Sequence, residues 1–105
     1  MIKIIINKQN NQITEVKITG HANSAEYGRD LVCAGVSSIS VGIANALVSK
    51  DFLKHGTIDI KEGFVHIKVL ESTHDIQVVL ETLEIMLDTI EESYTKYIKI
   101  TKMEV

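Results

Sequence analysis

The sequence predicts an α+β fold, a two-layer α/β sandwich with two helices on one mainly antiparallel sheet, in the order ββαββαβ. Two pairs of short alternating runs joined by tight turns read as hairpins. Each pair is followed by a long segment with apolar residues every three or four positions, and a last alternating run closes the chain. At 105 residues the chain is read as a single domain, 1–105, large enough for one hydrophobic core and not for two.

In order along the chain, Ile2, Ile4 and Ile6 alternate with Lys3, Ile5 and Asn7, which predicts a strand over 2–7. Asn10-Asn11 supplies a turn that tolerates positive φ, and Val16 and Ile18 continue the alternation to Gly20 and His21. Residues 22–29 hold no large apolar side chain except Tyr27 and are read as a loop. Asp30 is the expected N-cap of a helix beginning at Leu31, with Val32, Val36, Ile39, Ile43 and Leu47 on one side. Cys33 then falls in its first turn.

Gly35, Ser38, Gly42, Asn45 and Ser49 form a stripe of small residues on the opposite side of that helix, and Ala34, Val41, Ala44 and Val48 make a further flank apolar. A helix apolar on so many sides is expected to be central and covered by more than one neighbour. Gly56 opens the second hairpin, with Ile58 and Ile60, a turn at Glu62-Gly63, then Val65, Ile67 and Val69. Ser72 or Thr73 caps a second helix whose apolar stripe runs from Ile76 to Ile90. Gln77, Glu81, Glu84 and Asp88 are read as its acidic face, while Val78 and Ile85 lie off the main stripe and suggest a second contact surface. Ile98 and Ile100 mark the closing strand.

Composition narrows the function classes. Hydrophobic residues at 45% and charged residues at 24% are those of a globular chain without a disordered tail. The net charge of −3 argues against a phosphate backbone as the main partner, and no aromatic pair is recognised on one strand as an RNA-binding sheet would need. No nucleic-acid partner is therefore expected. One cysteine allows no intrachain disulfide, and no signal segment precedes the first strand, so the cytoplasm is the expected location. Leu31 to Ser49 runs without a charge for nearly the length of a membrane span, but its four serines, asparagine and two glycines favour a buried helix.

The chemistry concentrates between Gly20 and Ser38, which hold the sole cysteine, the sole arginine and a histidine twelve residues before the cysteine. A thiol is a nucleophile when ionised, and a helix N-terminus or neighbouring imidazolium favours that form. A helix starting just before Cys33 would also point the backbone N–H groups of Cys33 and Ala34 at an oxyanion. His21 can act as general base and then as acid to a leaving amine, with Asp30 either orienting it or only capping the helix. Ser37, one turn beyond Cys33, can bond the local backbone or the substrate. Gly20 is expected to permit a backbone geometry that a side chain would block. The ordinary reading of the same residues is a small core cysteine and a surface histidine.

His55, His66 and His74 lack zinc-ligand spacing, and Gly20 to Gly28 matches neither a P-loop nor a dinucleotide fingerprint. No metal and no cofactor are expected.

Gly20-His21-Ala22, Asp30-Leu31-Val32-Cys33-Ala34 and Val36-Ser37 together resemble the ribosomal-processing cysteine proteases, the Prp family, of certain bacteria. The resemblance extends over the whole chain. It implies an endopeptidase that removes the N-terminal extension of a large-subunit ribosomal protein, the twenty-seventh, before assembly. It implies His21 as base and Cys33 as nucleophile, with Gly20, Asp30 and Ser37 as supporting positions. It further implies a homodimer, and a loop between the pair that orders over substrate. An acidic chain suits a basic ribosomal tail. The competing reading is a non-enzymatic ribosome-assembly module, which would bind the tail without shortening it. For the dimer, contact is expected through the small-residue stripe of the first helix or the Val78 and Ile85 side of the second.

Overall fold

A computed structural model describes residues 1–21 and 27–105, with 27–30 described by their backbone. Strands β1 (Ile2–Gln9) and β2 (Gln12–Thr19) form a hairpin whose turn residues Asn10 and Asn11 have φ of 52° and 63°. Asparagine tolerates this left-handed geometry better than most side chains. There follow α1 (Tyr27–Ser49), a short 3-10 turn (Phe52–Lys54), β3 (Gly56–Lys61), β4 (Phe64–Val69), α2 (His74–Ser93) and β5 (Ile98–Glu104). The order is ββαββαβ, as the residue pattern predicts.

The five strands lie in the order β3-β4-β2-β1-β5, antiparallel at every pairing except the parallel β1–β5 pair. β2 and β3 both run against β4, so they point the same way, and β4 and β5 likewise share a direction. Each helix is thus a crossover between parallel strands, a connection a tight turn cannot make. Both lie on the face presented by Ile2, Ile4, Ile6, Val16, Ile18, Val65, Ile67 and Ile98, all buried. α1 contributes Val32, Val36, Ile43 and Leu47, and α2 contributes Ile76, Leu80, Leu83 and Leu87. Burial of such side chains is worth roughly 1.5–3 kcal/mol each, which fixes strand register because a one-residue slip would turn the whole set to solvent.

Three expectations about the helices need correction. α1 begins at Tyr27, four residues before Leu31, so Asp30 lies inside the helix and is not its N-cap. α1 is also not wrapped on all sides: Leu31, Val41 and Val48 are 67%, 43% and 47% exposed, and Ser38, Gly42, Asn45 and Ser49 are exposed beside them. Two layers give a helix only a sheet below and one helix alongside, and Gly35 alone of the stripe is half-buried towards Ile90 of α2. The third correction concerns α2, whose expected acidic face is partly buried.

Gln77 is buried and grips the backbone of Ile13, accepting from its N–H at 2.8 Å and donating to its carbonyl at 2.8 Å. Glu84 sits under Lys8 and Lys102, with ion pairs of 2.9 and 3.1 Å. Burial opposes its ionisation, and the two ammonium groups outweigh that, so its carboxyl titrates below the ordinary 4.5. Thr73 caps α2 through its hydroxyl, which accepts from the Ile76 N–H at 3.2 Å. Residues 31–49 match a membrane span by length and composition, yet their apolar stripe belongs to the core described above.

Gln77→Ala leaves a buried donor and acceptor of Ile13 unpaired and is expected to lower stability by about 2–3 kcal/mol, read from urea midpoints. Glu84 has a lower affinity for protons folded than unfolded, so its stabilisation is present above about pH 4.5 and is lost as pH falls below it. Glu84→Gln should therefore destabilise at pH 7, and its difference from wild type should narrow as pH falls below about 4.5, in denaturation curves across that range.

Candidate active site

β2 ends at Thr19, and Gly20 carries φ of +90°. A Cβ there would stand 2.6 Å from the Met1 carbonyl oxygen, so the expected backbone role of Gly20 is met by a real obstruction. The Gly20 N–H donates to the Gly63 carbonyl at 3.0 Å, which ties the end of β2 to the turn between β3 and β4. His21 follows directly. Its imidazole lies against the bare α-carbon of Gly63, where a Cβ would come within 2.6 Å of Nε2 and 3.0 Å of Cε1. Gly63 itself has φ of +68°.

Cys33 approaches from the helix layer. With α1 starting at Tyr27, Cys33 lies in its second turn, not its first. The backbone N–H groups of Cys33 and Ala34 are then taken by carbonyls four residues back, and the field of a helix terminus fades within one turn. The expected oxyanion site made by these two amides is therefore absent in this conformation, and Ala34 is exposed outside the cavity. Whether Asp30 orients His21, and whether the loop between His21 and Cys33 orders over substrate, lie outside the described residues.

His21 and Cys33 line one cavity of about 180 Å³ between α1 and the β3–β4 hairpin. Ile2, Ile18, Val36 and Val65 form its apolar floor, Ser37 and Ser40 line it from α1, and Lys61, Glu62, Gly63 and Phe64 close the hairpin side. Ser40 is fully buried and donates to the Val36 carbonyl at 2.7 Å, a bond that satisfies the hydroxyl within the helix. Of the predicted residues, Gly20, His21, Cys33 and Ser37 come together, while Ala34 does not. The hairpin wall is not legible in the sequence, because nothing local in Lys61-Glu62-Gly63-Phe64 distinguishes a site from an ordinary turn. Only the parallel placement of β2 and β3 brings that turn beside His21.

The remaining histidines are placed elsewhere. His55 bonds Glu71 at 2.9 Å, His66 bonds Glu15 on the other face of the sheet, and His74 opens α2. Among the described residues no three His, Cys, Asp or Glu side chains gather as metal ligands.

The family model for the cysteine protease Prp matches residues 1–99. The chain belongs to the Prp family of cysteine proteases. Prp of Staphylococcus aureus strain Mu50, a ribosomal processing cysteine protease, is 34% identical across 94% of each chain. The protein of the same description from Bacillus subtilis strain 168 is 33% identical across 96% of each. The crystal structure of S. aureus Prp, an essential ribosomal processing protease captured with a covalently linked product peptide, superposes with a TM-score of 0.85. That match has 32% identity and covers 97% of this chain and 99% of that one. The two-layer fold is thus the Prp fold, and the chain is a cysteine protease of that family.

Gly63→Ala adds a methyl group where the His21 ring lies, in a backbone region that costs alanine about 1 kcal/mol. Peptidase activity is expected to fall at least tenfold while circular dichroism keeps the native spectrum, because a displaced imidazole costs far more than a slightly strained turn.

Proposed function

We propose that the protein is a ribosomal-processing endopeptidase that removes the N-terminal extension of a large-subunit ribosomal protein, the twenty-seventh, in the cytoplasm. The observation that carries the reading is the shared cavity, where a histidine from a strand end and the sole cysteine from a helix line one apolar pocket. The description of the relatives as ribosomal processing proteases supports the substrate class.

In the proposed reaction His21 takes the thiol proton and Cys33 Sγ attacks the scissile carbonyl carbon. The tetrahedral intermediate collapses as the C–N bond breaks, and His21 returns the proton to the leaving amine. Cys33 is left as a thioester. Water, losing a proton to His21, then attacks the thioester carbonyl and releases the new carboxylate with the thiol restored. The Ser37 hydroxyl, on the cavity wall one turn beyond Cys33, is assigned to the substrate carbonyl oxygen. Gly20 holds the strand end, and Asp30 is retained as a supporting position. The apolar floor suits an apolar substrate side chain beside the scissile bond.

The protein is further proposed to act as a homodimer. The exposed apolar residues Leu31, Val41 and Val48 of α1 and Val78, Ile85 and Met86 of α2 support this. Sedimentation at micromolar concentration is expected to give twice the chain mass, and Val41→Glu to shift it to the monomer. Cleavage is tested by mass spectrometry of the extended ribosomal protein after incubation with the enzyme. Wild type should yield one shortened product, and Cys33→Ala and His21→Ala none. Binding without shortening by wild type, or full cleavage by either variant, would contradict the reading.

A further inference from the structure

The face of the sheet turned away from the helices binds single-stranded nucleic acid, we infer, through five lysines and a stacking pair on β4. Strand register places Lys61, Phe64, Thr19, Lys3 and Lys99 side by side in one row across the five strands. The next row is Asp59, His66, Lys17, Ile5 and Thr101, and the third begins Thr57, Lys68, Glu15. Directly paired residues point to the same side of a sheet, so all of these share the open face.

That face holds five exposed lysines against two carboxylates, although the whole chain carries −3. Both carboxylates are engaged there: Glu15 accepts from His66, and Asp59 lies 3.6 Å from Lys61. The negative charge sits mainly on the helix layer and the loops. Net charge averaged this segregation away, because the lysines are scattered in sequence and gathered only by strand pairing.

Phe64 and His66, two residues apart on β4, both emerge on this face with ring centroids 6.3 Å apart. Lys17 and Lys61 place their ammonium groups 5.9 and 5.8 Å from the Phe64 centroid. Histidine stacks on bases as the other aromatic rings do, so the strand carries the aromatic pair that counting Phe and Tyr alone overlooks. Rings that accept bases, flanked by cations that accept phosphates, fit a single strand better than an acidic peptide or a lipid surface, which would use the lysines and leave the rings idle. Lys61 and Phe64 also border the cavity, so the lysines chosen for substitution lie outside it and peptide hydrolysis is read separately.

The test is fluorescence anisotropy of a labelled twelve-nucleotide oligouridylate titrated with the full chain, alongside the DNA strand of the same length. Binding is expected at 50 mM KCl and should weaken steeply by 300 mM, with a log–log slope of about −0.7 for each phosphate contacted. The variant with Lys3→Gln, Lys17→Gln and Lys68→Gln should bind at least tenfold more weakly with a shallower slope, and still cleave a short peptide as wild type does. The same charge change at Lys50, Lys54 and Lys96 should alter binding less than twofold. Phe64→Leu should weaken binding without changing the slope. RNA bound more tightly than DNA would make RNA the source, and equal binding would assign any single strand. Absence of salt-dependent binding, equal losses in both triple variants, or displacement by polyglutamate or phosphatidylglycerol vesicles at equal anion concentration would overturn the inference.

Discussion

The sheet has one apolar face, and the arrangement of the molecule depends on that constraint. Ile2, Ile4, Ile6, Val16, Ile18 and Ile67 offer a single surface on which both crossover helices must pack. α1, bridging β2 and β3, is thereby laid over the strand ends that carry Gly20 and the Glu62-Gly63 turn. Cys33 reaches the cavity from the helix layer and His21 from the end of the central strand β2. The opposite face is left to solvent with its lysines and its aromatic pair.

The site is built on two close backbone approaches. Gly20 passes Met1 where a side chain would collide, and Gly63 gives the His21 ring a flat surface to lie on. Between them runs the hydrogen bond from the Gly20 N–H to the Gly63 carbonyl. The His21 imidazole is thus positioned by main chain, which moves less than side chains do. The thiol is positioned by a helix whose buried neighbours Val32 and Val36 anchor it on either side of Cys33.

Much of this was legible in the residues. Period-two alternation in Ile2–Ile6 and Val65–Val69, and the three-and-four spacing from Ile76 to Ile90, record faces buried by local geometry. His21 and Cys33 stood out because of their chemistry, and the motifs around them carried the family. What could not be read depends on contacts distant in sequence. Gln77 looked like a surface residue because its partner is the backbone of Ile13, and Glu84 because Lys8 and Lys102 arrive from other strands. A capping side chain at Asp30 before an apolar run predicts a helix from Leu31, whereas the helix begins at Tyr27 in a segment with little apolar patterning. The lysine face is of the same kind, visible only once the strands are paired.

The central claim is that His21 and Cys33 act as one unit on a peptide bond. A double-mutant cycle on kcat/KM for cleavage of the extended tail, with His21→Ala, Cys33→Ala and both together, tests it most directly. Residues that share a single proton transfer lose their effect together, so each single change should abolish at least about a thousandfold of the rate and the double change should be no worse than either. Losses that multiply in the double variant, or substantial activity surviving in either single one, would contradict the account.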